Sequence, residues 1–253
     1  MVDELGIGQA MPDGIRDRGQ AWAFVRDFAA GWAEPLADYD GTSVEDLERA
    51  EERLGLSLPA ALREAYSLLG TRPDLTGNQD PLLPPCELFI HDEFGGVLVF
   101  RSENQGCAFW GVRQRDLGQD DPPVFVQSRG GWVPFLDRVS LACVELVLSE
   151  TLFGGAGRLY NTCELPADRI RDLPSRFTRV ALPDYPMWTG QDESPVRWFS
   201  APGQLLRLDG LGDRSWLHVR GRTPADLELL YATIPGHWVR GYAEPLEVDE
   251  LPF

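Results

Sequence analysis

Residues 43–70 read SVEDLERAEERLGLSLPAALREAYSLLG, and two short helices follow from that string. Ser43 with Asp46 three positions later forms a capping box, in which the hydroxyl and the carboxylate each accept a backbone N–H that the first helical turn leaves open. Val44, Leu47, Ala50 and Leu54 recur at steps of three and four and line one face. Gly55 stands where a helix ends in a positive-φ residue. Pro59 opens the second helix at a position where its missing N–H costs nothing. Leu62, Tyr66 and Leu69 turn inward, and Gly70 closes it. Glu45, Glu48, Glu51 and Glu52 lie opposite the apolar stripe and read as a solvated face.

Working outward, Trp22, Val25, Phe28, Ala29 and Trp32 predict a helix over 20–33, stopped by Pro35. Residues 71–85 are rich in Pro, Gly, Asn and Asp and read as a long ordered loop. Strand signals follow at 88–90, 96–100, 107–112 and 123–126, with Glu103-Asn104-Gln105-Gly106 as the turn of an antiparallel hairpin. Leu141, Val144, Leu148 and Leu152 predict a helix over 140–152, ended by Gly154-Gly155. Further on, strands are expected at 177–182, 196–200, 204–208 and 215–219, with a turn at 209–213. A capped helix from Thr223 to about Ile234 and a final strand at 237–242 complete the chain. Helices first and strands clustered after them predict an α+β fold: a mainly antiparallel or mixed sheet with helices packed on it, in a single main domain. Leu54, Leu58, Leu62, Tyr66, Phe100, Trp110, Val124 and Leu148 are the expected core.

The 253 residues are 43% hydrophobic, ample for a buried core, and no run approaches the ~20 apolar residues a membrane span needs. Met1 to Gln20 is polar and acidic, unlike a secretory leader. The formal charge is -17. All 23 basic residues are arginine, which with the abundant Ala, Gly and Pro suits a GC-rich bacterial genome. Residues 1–100 hold 19 acids and 7 arginines, and residues 101–253 hold 21 and 16, so the acidity is concentrated in the first part. Such a surface repels nucleic acid and membranes, and it favours a basic partner or simply keeps the chain in solution. Cys86, Cys107, Cys143 and Cys163 form no CxxC pair and read as small buried hydrophobes of a reducing, cytoplasmic compartment. The sequence has no phosphate loop, nucleophile elbow, dinucleotide fingerprint or HExxH. His218 and His237 sit in structural contexts. His91-Asp92-Glu93 is the one compact ligand-like run, but adjacent side chains in extended backbone point apart, which makes shared metal ligation awkward. No catalytic, metal or cofactor-binding residue is therefore assigned.

The string at 43–70, then Phe100 leading into Glu103-Asn104-Gln105-Gly106, Phe109-Trp110-Gly111-Val112, Asp121-Pro122-Pro123-Val124 and Trp132, resembles the SUKH superfamily in order and spacing. The resemblance covers about residues 42–152. It divides the chain into an N-terminal helical extension (1–41), a SUKH-like core (42–152) and a strand-rich C-terminal elaboration of the same domain (153–253). It implies helices on a largely antiparallel sheet and no cofactor. It also implies a non-catalytic immunity protein that occludes the active site of a secreted polymorphic toxin, of nuclease or deaminase type. A regulatory scaffold with a non-toxin partner, or an unrecognised hydrolase working from the His91 region, are the alternatives. The expected partner is a basic toxin domain. The candidate contact residues are Asp92, Glu93, Glu103, Asn104 and Gln105 on strand-turn edges, with Trp110 as an aromatic anchor.

Overall fold

The two helices written into residues 43–70 form where their signals place them. In α2 (Val44–Leu54) the Ser43 hydroxyl accepts the Asp46 N–H at 3.1 Å, and Gly55 ends the helix at φ 66°. Leu47 and Ala50 are buried, whereas Val44 is 54% exposed and drops out of the stripe. In α3 (Ala60–Leu69) Leu62, Tyr66 and Leu69 are fully buried, and the Tyr66 hydroxyl donates to the Leu83 carbonyl at 2.6 Å. Glu51 is more than a solvated acid: it accepts the Leu58 N–H and pairs with Arg63, tying the two helices together.

The computed structural model describes residues 14–128, 130–155, 158–189, 195–211 and 214–239. Helix α1 (Arg18–Trp32), capped by Asp17, precedes α2, and a single turn, α4 (Pro73–Thr76), interrupts the expected loop after α3. The first sheet has order β1-β2-β3-β4-β5, all antiparallel: β1 (Phe89–His91), β2 (Val97–Ser102), β3 (Phe109–Arg113), β4 (Val124–Ser128) and β5 (Gly131–Leu136). The helix α5 (Val139–Phe153) follows. The remainder makes a second antiparallel sheet of order β6-β10-β9-β8-β7, from β6 (Tyr160–Pro166), β7 (Thr178–Arg179), β8 (Arg197–Ala201), β9 (Gln204–Leu211) and β10 (Arg214–Gly221). Helices α6 (Ala167–Arg176) and α7 (Pro224–Thr233) belong to this part. The fold is thus α+β as expected, with two sheets where the sequence suggested one.

Helix α5 joins them. Fourteen of its fifteen residues are buried, and it touches α1, α3, α4 and strands of both sheets. A single apolar cluster runs from Trp22, Leu62 and Tyr66 through Phe100 and Leu148 to Val180, Trp198 and Leu205, so both sheets share one core. At fifteen residues α5 is too short to span a bilayer, and none of the described helices is long and apolar enough to do so.

Several expectations are corrected. The expected strand at 177–182 shrinks to the two residues of β7. The expected turn at 209–213 begins too early, since β9 runs on to Leu211 and holds Asp209 inside the sheet. Of the strand expected at 237–242, Trp238 makes one bridge to Cys163, and residues from 240 onward lie outside the described residues, as do residues 1–13. Cys86 and Cys107 are exposed, contrary to the buried reading. Cys143 and Cys163 are buried, and burial pushes their thiols up to about 12.

Candidate interaction surface and buried charge cluster

The six candidate contact residues do not form one patch. Asp92 and Glu93 are exposed on the β1–β2 turn, and Asn104 and Gln105 are exposed on the β2–β3 turn. The two turns sit at opposite ends of the six-residue β2, about 20 Å apart at the usual strand rise. Glu103 faces inward, 7% exposed, where its Oε2 accepts the N–H groups of Gln105 (2.8 Å) and Cys107 (3.0 Å) and fixes the turn. Trp110 is 3% exposed with the Arg101 guanidinium 4.5 Å over its ring, so it is a core residue. Neither side chain reaches a partner without opening the sheet.

The β1–β2 turn has company that the sequence reading did not foresee. Phe94 adopts φ 63°, ψ 23°, the only described non-glycine residue in the left-handed region, and Gly95 and Gly96 continue at φ 78° and 87°. A bulky side chain there is strained and persists because its surroundings hold it. The ring is 45% exposed on one side. On the other it packs 5.7 Å from Phe125, and the Arg113 guanidinium lies against both rings, 3.6 Å from the Phe94 centroid and 3.8 Å from that of Phe125. Among the described residues Arg113 has no carboxylate partner. Strand alternation puts Val97, Val99, Phe125 and Trp132 on the same outer face, with Phe89 and Phe109 half-buried around them. His91 joins this face, ringed by Trp132, Phe109 and the Gln127 amide, while its Nδ1 accepts the Glu93 N–H at 3.4 Å. Among the described residues no three His, Cys, Asp or Glu side chains converge as metal ligands.

The opposite face of β2 leads into a buried charge cluster. A bulge sets Phe100 and Arg101 together against Trp110, between the pairs Val99–Gly111 and Arg101–Trp110. Simple alternation would send Arg101 outward with Val97 and Val99; the bulge re-aims it into the interior. There its Nη1 bonds Glu145 at 2.6 Å and its Nε the Asp80 carbonyl at 2.9 Å. The Tyr185 hydroxyl donates to the same Glu145 at 2.8 Å and accepts from Trp198 Nε1. From β9, Arg207 bonds both Asp209 oxygens at 2.8 and 2.7 Å and the Ser149 hydroxyl at 2.8 Å. His218 on β10 sits 3.3 Å from Asp209 and 2.7 Å from the Tyr160 hydroxyl. Burial alone would raise the Asp209 carboxyl, but Arg207 and His218 outweigh it and hold it well below the usual carboxylate range. Burial, followed by Glu145, drives the Tyr185 hydroxyl well above its ordinary value.

Two signals in the sequence point to these residues. Glu145, Ser149 and Glu150 are among five polar residues in a mostly apolar helix, and polar groups buried in a helix require polar partners. The run Phe94-Gly95-Gly96 after two acids marks a turn whose first residue a glycine would suit better. The arrangement defines an α+β protein with two sheets about a shared helix, one aromatic sheet face and an internal ion network. No protein-family model matches the chain, and no curated protein or solved structure matches it.

Proposed function

We propose that this chain is a bacterial cytoplasmic immunity protein of the kind the SUKH resemblance implies, binding a basic toxin and covering its active site without chemistry of its own. The observation that carries the reading is the Phe94 turn. Strain is retained at an exposed aromatic residue that follows Asp92 and Glu93, at the rim of a sheet face whose centre is roofed by Leu83, Phe89 and Phe109. Aromatic groups are enriched at protein interfaces and serve there as anchors. The -17 charge adds long-range steering toward a basic partner. Among the described residues His91 contacts Gln127, Phe109, Trp132 and the Glu93 amide, none of which is a carboxylate that would orient it as a base, so the hydrolase reading gains no support there.

The test is a pull-down with the product of a neighbouring gene for a large secreted protein, where one is found, followed by association kinetics across a salt series. Steered association falls steeply with ionic strength, while dissociation changes less. Replacing Asp92 with Asn and Glu93 with Gln together should slow association several-fold. An association rate insensitive to both salt and the double variant would remove the electrostatic basis of the reading. Capture of a non-toxin protein through the same face would favour the scaffold alternative.

A further inference from the structure

A cavity of about 30 Å³ lies inside the charge cluster, lined by Asp80, Arg101, Trp110, Glu145, Tyr185 and Arg207 among others. It has room for about two waters. Four carboxyl groups surround it or adjoin it, against two guanidiniums. Three of the four are provided with donors. Glu145 has Arg101 and Tyr185. Glu150 accepts the backbone N–H groups of Asn78, Gln79 and Asp80 and stands 3.6 Å from Arg101 Nη2. Asp209 has Arg207 twice over, and His218 beyond. The fourth, Asp80, has none: its Oδ1 is buried without a hydrogen-bond partner among the described residues. The cluster therefore carries more negative than positive charge, and the group that bears the excess is the one without donors.

We infer that the cavity is a proton-uptake site, in which the Asp80 carboxyl takes up one proton as the medium becomes mildly acid and thereby tightens the joint between the two sheets. The groups that face Asp80 set the sign. Arg101 from β2 and Arg207 from β9 favour its anion; Glu145 and Glu150 from α5 oppose it, and Tyr185 adds no charge. Burial is the main influence, Arg101 works against it, and Glu150 and Glu145 reinforce it, pushing Asp80 up to about 6. Against an ordinary value of 3.8, the folded chain binds this proton on the order of a hundredfold more tightly than the unfolded chain. The stabilisation is fully present below about pH 4 and is lost as the pH rises through about 6.

The experiment compares the wild-type chain with Asp80→Asn in thermal and urea unfolding from pH 4 to 8. The many surface acids affect both alike, so the difference between the two chains is the readout. It should shift in favour of Asp80→Asn as the pH rises through about 6. Parallel profiles would overturn the inference. If the variant fails to fold, carboxyl-carbon NMR of the wild-type chain decides the matter. An Asp80 midpoint near 6 supports the site, and titration together with the exposed acids near 4 overturns it.

Discussion

The two sheets share helix α5 but differ in how their second faces are finished. In the second sheet Phe199, Leu206, Leu208, Leu217 and Val219 point away from α5 and are covered by Leu173 of α6 and by Leu227 and Leu230 of α7. In the first sheet Val97, Val99, Phe125 and Trp132 form their own small cluster, roofed by other aromatic side chains of the same face. Arg207 of the second sheet is bonded on three nitrogens to Asp209 and Ser149, whereas Arg113 of the first rests between two phenyl rings, with no carboxylate in salt-bridge contact among the described residues. Both sheets send an arginine into the shared interior, Arg101 from the first and Arg207 from the second, and the first carries Arg113 on its other face as well.

The largest contrast is expected for the two arginines. Arg207→Ala leaves Asp209 buried without its guanidinium and should cost ~3–5 kcal/mol in chemical denaturation. Arg113→Ala removes a half-exposed cation and its contacts with two rings, and should cost about 1–2 kcal/mol. Equal losses would abolish the distinction between the sheets. The Asp209 carboxylate gives the pH signature of the same contact. Its folded value is depressed, so its stabilisation is present above about pH 4 and is lost as the pH falls through the folded value. The deficit of Asp209→Asn should accordingly shrink on acidification, opposite in sign to that of Asp80→Asn.

Apolar truncations come next. Leu206→Ala, in the covered face of the second sheet, should cost ~2–5 kcal/mol. Phe109→Ala, half-buried at the roof of the outer face of the first, should cost less than half as much despite the larger side chain. A greater loss at Phe109 would mean that this face is a core in its own right.

Local signals carried most of the fold. Caps, stripes and stops at Ser43, Gly55, Pro59 and Gly70 act within a few residues, so α2 and α3 were legible. Edge strands were not. Gly131 and Pro134 disguise β5, which tolerates proline because it lies at the sheet edge. The edge strand β6 and helix α6, with Pro174 inside it, were missed for the same kind of reason. The site was legible only in part. Asp92 and Glu93 were named, but Phe94 reads as an ordinary turn neighbour until its φ is known. Arg101 lies just past the expected strand at 96–100 and draws no reading, because a bulge depends on pairing between β2 and β3 and leaves no mark in either strand alone. Arg207, Asp209 and His218 meet Ser149 and Tyr160 across as many as 58 positions, and no spacing rule reaches that far.

The smallest expected effect on stability belongs to the residue that separates the sheets most sharply. Phe94→Ala and Phe94→Gly both delete the ring and its contacts with Arg113 and Phe125, which are worth about 0.5–1 kcal/mol each. Alanine keeps the left-handed strain of about 1–2 kcal/mol, whereas glycine removes it at a cost of about 0.5–1 kcal/mol in chain entropy. Glycine should therefore be the more stable variant by up to about 1 kcal/mol, and close to wild type. Urea unfolding of the three chains measures this directly. Partner affinity should behave otherwise, falling equally in both variants because both lack the ring. A glycine variant no more stable than alanine would show that the turn is unstrained. Undiminished binding in both would show that the Phe94 turn of the first sheet is not where the partner sits.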